Sequence, residues 1–285
     1  MDEEALEQEL ITLMRKGVVE LPPDVLTSLR IAYEREDNEV ARMQLSAILD
    51  NIALARQTGR PLCQDTGIPL FFVTLSPSFS QPLLTLIRRA VAHATYEVPL
   101  RPNTVDPLTR QNPGTNVGCG MPAVTFKTHD RPYTDITFFP KGAGSENMSS
   151  MRMLTPSKGL NGIKEYVLDS IFEAGGKTCP PTIVGIGIGG SADLCMHLAK
   201  KALLRPLGDR HPRRDIADLE QELEDVLNET GIGPMGMGGR TTVLGVHIGI
   251  ADCHTASLPV AINMQCWAAR QATLRVHDSG EVEYV

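Results

Sequence analysis

Three cysteines of this chain stand where loops meet regular patterns. Cys63 lies in Leu62-Cys63-Gln64-Asp65-Thr66-Gly67, at a junction between a helical and a strand pattern. Cys179 precedes Pro180-Pro181, two residues that cannot donate backbone hydrogen bonds and that fix the chain direction. Cys266 lies in Gln265-Cys266-Trp267-Ala268-Ala269-Arg270, just past a strand pattern. Thiolates are the ligands of soft metals and of iron–sulfur clusters, so three loop cysteines far apart in sequence can converge on one cluster. Spacing alone does not select them. The chain holds six cysteines, which allow twenty triplets, and no pair stands in the Cys-x-x-Cys spacing of zinc ribbons and ferredoxins. Cys195 falls on the apolar face of a helical pattern and is read as structural.

Polar groups with catalytic potential cluster in Gln64-Asp65-Thr66-Gly67, Arg101-Pro102-Asn103, Gly142 to Asn147 and Asp252-Cys253-His254. Each lies in a loop beside an apolar run. Turn or capping roles explain Asp65 and Asn103 about as well, and a single histidine such as His254 is more often structural than catalytic. Arg101 is a carboxylate fork or the half of a surface ion pair. The run Gly185-x-Gly187-x-Gly189-Gly190, between strand and helix patterns, lacks the Gly-x-Gly-x-x-Gly spacing of a dinucleotide site, and no Gly-Lys-Ser/Thr follows. Close packing of a strand on a helix is the preferred reading of these glycines.

The elements that must position these loops are mixed. Residues 3–57 read as helical, with Ala41, Leu45, Ile48, Leu49 and Ile52 on one face. A strand is expected over 68–75 and a helix over 83–94. Residues 99–120 show no period. Residues 122–127 and 133–139 read as two strands around a His129-Asp130-Arg131-Pro132 turn. Residues 140–157 read as a long polar loop, of the sort that usually carries function. Helices are expected at 159–174, 192–204 and 215–228, the last with Ile216, Leu219, Leu223 and Val226 inward and its acidic residues outward. A strand leading into a glycine turn is expected over 182–190, strands at 241–250 and 256–264, and a terminal hairpin through Asp278-Ser279-Gly280. The fold class is therefore α/β or α+β, with mixed helices and short sheets. A single domain over 1–285 is expected, with a helical part at 1–57 and a mixed part at 58–285.

Composition narrows the function classes. With 27 Lys+Arg against 34 Asp+Glu the net charge is −7, without the basic stripe of a nucleic-acid binder. No stretch approaches the roughly 20 apolar residues that span a bilayer. The opening Met1-Asp2-Glu3-Glu4 is acidic, unlike a secretory or mitochondrial leader, so a cytoplasmic location is expected, where cysteines do not form a disulfide framework.

Taken together, several segments carry a resemblance: Cys63 to Gly67, Arg101-Pro102-Asn103, Pro140 to Met148, Cys179-Pro180-Pro181, Ala202 to Pro206, Thr230 to Pro234, Gly245-Val246-His247 and His254 to Val260 through Cys266. In this order, over nearly the whole chain, they resemble the α subunit of two-subunit class I, iron–sulfur-dependent fumarate hydratases, relatives of L(+)-tartrate dehydratase. The resemblance implies the iron–sulfur fumarase N-terminal domain type. It implies a [4Fe–4S] cluster on Cys63, Cys179 and Cys266 with one iron not ligated by Cys, and leaves Cys119, Cys195 and Cys253 as bystanders. It further implies Gln64, Arg101 and Gly144 as substrate-binding positions and Asp65 and His254 as catalytic ones.

Two departures matter. Gly118-Cys119-Gly120 replaces the family's Asn-Thr-Pro-Ala-like passage, so that loop is expected to differ. The family's full-length enzymes also carry a C-terminal domain with further active-site residues, which implies a separate β subunit here, in an α2β2 assembly. His254 to Val260 and Gly144 to Ser149 look like the fumarase form, so fumarate and (S)-malate are the preferred substrates. L(+)-tartrate or another small 2-hydroxy dicarboxylate is the alternative. A nucleotide enzyme using the glycine run and a non-catalytic scaffold subunit are distant alternatives.

Overall fold

The computed structural model describes residues 2–285. In chain order the elements are α1 (Glu3–Val19), α2 (Pro23–Arg35), α3 (Glu39–Thr58), β1 (Ile68–Leu75), α4 (Leu83–Glu97), β2 (Ala123–Thr128), β3 (Tyr133–Lys141), α5 (Ala143–Glu146), β4 (Ser150–Leu154), α6 (Gly159–Ala174), β5 (Thr182–Ile188), α7 (Ala192–Ala202), α8 (Arg214–Glu229), β6 (Val243–Ile250), β7 (Leu258–Gln265), β8 (Ala272–His277) and β9 (Val282–Tyr284). This is an α/β fold with two mixed sheets. The chain divides into two compact units: unit 1 holds residues 1–22, 51–143 and 270–285, and unit 2 holds 23–50 and 144–269. The helical N-terminal stretch is thus shared out, α1 going to unit 1 and α2 to unit 2, and the division falls inside α3.

Unit 1 is built on a five-stranded sheet of order β2-β1-β3-β8-β9. Helix α1 starts at an Asp2 cap whose carboxylate accepts the Ala5 N–H at 2.8 Å, with Glu3 and Glu4 favourable in its first turn. Leu6, Leu10, Leu13, Met14 and Val18 repeat at helical spacing and are buried with Leu86, Ile87, Ala90 and Val91 of α4 against Phe71, Val73, Ile136, Phe138 and Leu274 of the sheet. The expected strand at 68–75 and the terminal hairpin are present. Strands β2 and β3 are not a hairpin, however. β1 lies between them, parallel to β2 and antiparallel to β3, so the His129–Pro132 segment spans a full strand. A local pattern cannot reveal this, because the strand that separates them lies some fifty residues earlier in the chain.

Unit 2 is built on a four-stranded sheet of order β4-β7-β5-β6. Val260, Ile262 and Met264 of β7 face a core shared with Tyr166, Val167 and Ile171 of α6 and Leu219, Leu223 and Leu227 of α8. Alternation turns Ala261 to the other face, onto Cys195 and Ala199 of α7. With both faces covered, β5 and β7 read as near-continuous apolar runs. The glycine run has the packing role expected of it: a Cβ at Gly187 would fall on the Cys195 carbonyl oxygen, and one at Gly185 on the Ala199 carbonyl oxygen. Cys195 is fully buried and its thiol donates to the Gly187 carbonyl at 3.2 Å.

Two expectations in this unit are corrected. Residues 140–157 are not an unstructured loop: they hold the short α5 and the edge strand β4, whose exposed Met151 and Met153 hid its pattern. On α8, Val226 is exposed and the acidic Glu220 is fully buried. Glu220, expected to face outward, pairs with Arg205 and accepts the backbone N–H groups of Ile248 at 2.7 Å and His211 at 2.9 Å, so its buried charge is compensated.

Candidate active site

The motif around Asp65 is a turn held by its own carboxylate. Oδ1 accepts the Gly67 N–H at 2.9 Å and the Asn103 amide at 2.9 Å, while Oδ2 accepts the Ala143 N–H at 2.8 Å. One side chain thereby ties together three of the polar motifs. Gly67 has a φ of 79°, and a Cβ there would stand 2.7 Å from the Lys141 nitrogen, so only glycine fits between the turn and the end of β3. Cys63 precedes this turn and is half-buried; Leu62 before it is anchored through the Val18 carbonyl at 2.9 Å and the Asn51 amide at 2.8 Å. Gln64 is exposed.

Arg101 enters from the segment after α4. Its N–H donates to the Thr66 hydroxyl at 3.0 Å, which fixes its backbone beside the Asp65 turn and leaves the guanidinium exposed. The residue that organises this segment is Asn116, which sequence reasoning missed. Asn116 is 1% exposed and has a φ of 58°. Its Oδ1 accepts the N–H groups of Asn103 at 2.7 Å and Thr104 at 3.2 Å, and its Nδ2 donates to the Arg101 carbonyl at 3.0 Å and the Thr95 hydroxyl at 3.1 Å. The available signal was an asparagine in a Gly-Thr-Asn loop, a residue type that tolerates the left-handed region. Cys119 nearby is exposed.

In unit 2, Cys179 ends a 3₁₀ turn in the left-handed region, at φ 53°. For a residue with a Cβ this costs roughly 1–2 kcal/mol. Its surroundings hold it there: its N–H donates to the Gly176 carbonyl at 3.1 Å, and its carbonyl accepts the Trp267 N–H at 3.2 Å. That second bond brings the backbone after Cys266 onto Cys179, so two of the three selected cysteines share one loop cluster. Met235 N–H closes the cluster on the Pro180 carbonyl at 2.8 Å. The 230–239 segment therefore supports Cys179, a role its glycines and proline gave no direct sign of. Both thiols are partly exposed.

Gly144 is exposed, and a Cβ there would lie 3.1 Å from the Lys177 carbonyl. Glu146 in the same motif pairs with Lys200, and buried Asn263 donates to Glu146 at 3.1 Å and to Ser149 at 2.7 Å. His254 is exposed. Its Nδ1 accepts the Ala256 N–H at 3.1 Å, which in the neutral ring leaves the proton on Nε2. A buried histidine, His247, differs: burial and the Arg205 charge push its pKa down to about 4, and its Nδ1 lies 3.2 Å from the Ala202 carbonyl. It belongs to the Arg205–Glu220 cluster. All six cysteines are thiols rather than disulfides. Among the described residues no three His, Cys, Asp or Glu side chains are grouped closely enough to hold a single metal ion, and no helix is long and apolar enough to cross a membrane.

With this geometry in view, comparison with known proteins is decisive about kinship. Residues 7–275 match the family described as fumarate hydratase (Fumerase). The chain belongs to that family. A protein of Methanocaldococcus jannaschii, provisionally named L(+)-tartrate dehydratase subunit alpha, is 50% identical over 274 residues, covering 94% of this chain and 96% of that protein. The L(+)-tartrate dehydratase subunit alpha of Escherichia coli UTI89 is 38% identical over 90% of this chain and 86% of its own length, and that of strain K12 is 37% identical over the same shares. The fold class and the kinship read from the sequence both stand.

Proposed function

We propose that this chain is the α subunit of an iron–sulfur hydro-lyase that interconverts fumarate and (S)-malate together with a separate β subunit, in an α2β2 assembly. The observation that carries the reading is the fumarate hydratase family match over residues 7–275. Subunit naming among the relatives supports the division into α and β. A cytoplasmic location is consistent with six cysteines held as thiols.

The donor set suits a cluster. Cys63, Cys179 and Cys266 are soft donors in partly exposed loops, two of them fastened to each other through the Trp267–Cys179 bond. Bound there, a [4Fe–4S] cluster with one iron not ligated by Cys supplies a Lewis acid for the substrate hydroxyl.

The chain's own residues do the rest. The exposed Arg101 guanidinium, held at its backbone by Thr66 and Asn116, offers a planar fork to one substrate carboxylate. Gln64 and the Gly144 backbone complete the recognition of a small dicarboxylate, and a side chain at 144 would crowd the Lys177 carbonyl. Asp65 accepts three hydrogen bonds and keeps lone-pair capacity for the substrate hydroxyl. His254 carries its proton on Nε2 and serves as the group that gives or takes a proton.

The names of the relatives favour a second reading, dehydration of L(+)-tartrate. The two are separated by co-purifying the chain anaerobically with its β subunit and measuring kcat/KM for fumarate, (S)-malate and L(+)-tartrate. A larger value for fumarate and malate is expected. A preference for L(+)-tartrate establishes the second reading, and turnover of none of them by an iron-loaded complex removes the hydro-lyase proposal.

A further inference from the structure

Among the described residues Arg270 is the largest fully buried side chain, 2% exposed, at the start of the last leg of unit 1. Its Nη2 donates to the Asp65 carbonyl at 2.9 Å. Its Nε–H and both Nη1–H groups are buried with no acceptor. A guanidinium does not shed its proton, so this is a permanent buried cation with one neutral partner. A buried charge left unpaired is strongly destabilising. The carboxylate of the same Asp65 is engaged by Gly67, Asn103 and Ala143, and Arg270 bonds only to the Asp65 backbone carbonyl.

Such a position calls for an anion that stays. A substrate that enters and leaves is served by an exposed cation such as Arg101, not by a group 2% exposed. The sequence neighbours name the resident anion. Its hydrogen-bonded partner Asp65 lies two positions after the proposed ligand Cys63, in the same unit. We propose that Arg270 is the buried cationic partner of the iron–sulfur cluster, its free N–H groups donating to cluster or thiolate sulfur, so that it both holds the Cys63–Asp65 turn and retains the cluster. This rests on the cluster reading given above. It makes Arg270 a positioning residue, acting through the cofactor and the turn.

The opposing signs of its effects provide the test. Wild-type chain, R270M and R270K are reconstituted anaerobically with their β subunit. Iron and sulfide per chain, the rate of iron release to a ferrous chelator, and the melting of the metal-free chains are measured. R270M is expected to leave the metal-free chain as stable as wild type or more so, because it removes an unpaired cation. It is expected to release iron about 10–100-fold faster, the usual cost of losing a group that supports a metal site. R270K, which keeps the charge without the fork, is expected to fall between. A metal-free R270M that melts well below wild type, with iron release unchanged in the folded complex, makes Arg270 a simple carbonyl clamp and overturns the inference. If R270M does not fold, iron release from R270K at the wild-type rate overturns it equally. Failure of wild type to take up iron instead removes the cluster reading itself.

Discussion

Replacing Asn116 with alanine tests how the substrate-facing segment is built. The side chain makes four hydrogen bonds, two to the N–H groups of Asn103 and Thr104 and two from its amide to the Arg101 carbonyl and the Thr95 hydroxyl. At about 1 kcal/mol net each they sum to roughly 4 kcal/mol. The φ of 58° adds to the cost, since alanine tolerates the left-handed region less well than asparagine. Asn116→Ala is therefore expected to lower stability by about 4 kcal/mol, read from urea unfolding of the isolated chain by circular dichroism. Asn116→Asp keeps both acceptor bonds but turns a buried carboxylate oxygen onto the Arg101 carbonyl, so it should cost at least as much as alanine. In the assembled enzyme at a temperature where the variant is folded, the freed Arg101 backbone should raise KM for the dicarboxylate about tenfold more than it lowers kcat. An Asn116→Ala chain within 1 kcal/mol of wild type, with KM unchanged, would refute the reasoning.

Other consequences follow from the buried groups. His247 has its folded pKa depressed to about 4 from 6.5, so the stability it contributes is complete above pH 6.5 and is lost as pH falls toward 4. His247→Gln should flatten this part of the unfolding-versus-pH curve, by at most about 3 kcal/mol; an identical slope in the variant counts against a neutral buried His247. Glu220→Ala strands Arg205 and the Ile248 and His211 N–H groups and should cost roughly 3–5 kcal/mol, measured by thermal melting, with Glu220→Gln milder. Burial raises the Cys195 thiol to about 11, so maleimide should label exposed Cys119 and Cys253 within minutes and reach Cys195 only on unfolding, as peptide mass spectrometry will show.

Much of this molecule is legible in its sequence. Periodicity located α4, α6 and β1 because a single apolar stripe or run decides each of them. It failed where partners lie far apart in sequence. β2 and β3 look like a hairpin until β1 is seen between them, and β4 hid in a polar segment because an edge strand with exposed methionines shows little alternation. Glu220 was assigned outward because a helical wheel cannot foresee an arginine fifteen residues back that compensates its charge. The candidate site shows the same division. Cysteine and polar motif types were visible, yet the part that Asn116, Met235 and Arg270 play in holding them was not. They emerge only from the hydrogen bonds that converge on Arg101, Pro180 and Asp65.

The central claim is that three particular cysteines of the six serve an iron–sulfur hydro-lyase. A set of six single Cys→Ser variants, reconstituted anaerobically with the β subunit and analysed for iron and sulfide per chain, tests it most directly. The account predicts loss of cluster in the Cys63, Cys179 and Cys266 variants, and wild-type loading in the Cys119, Cys195 and Cys253 variants. Full loading in any one of the first three, or loss in the exposed Cys119 or Cys253 variant, contradicts it.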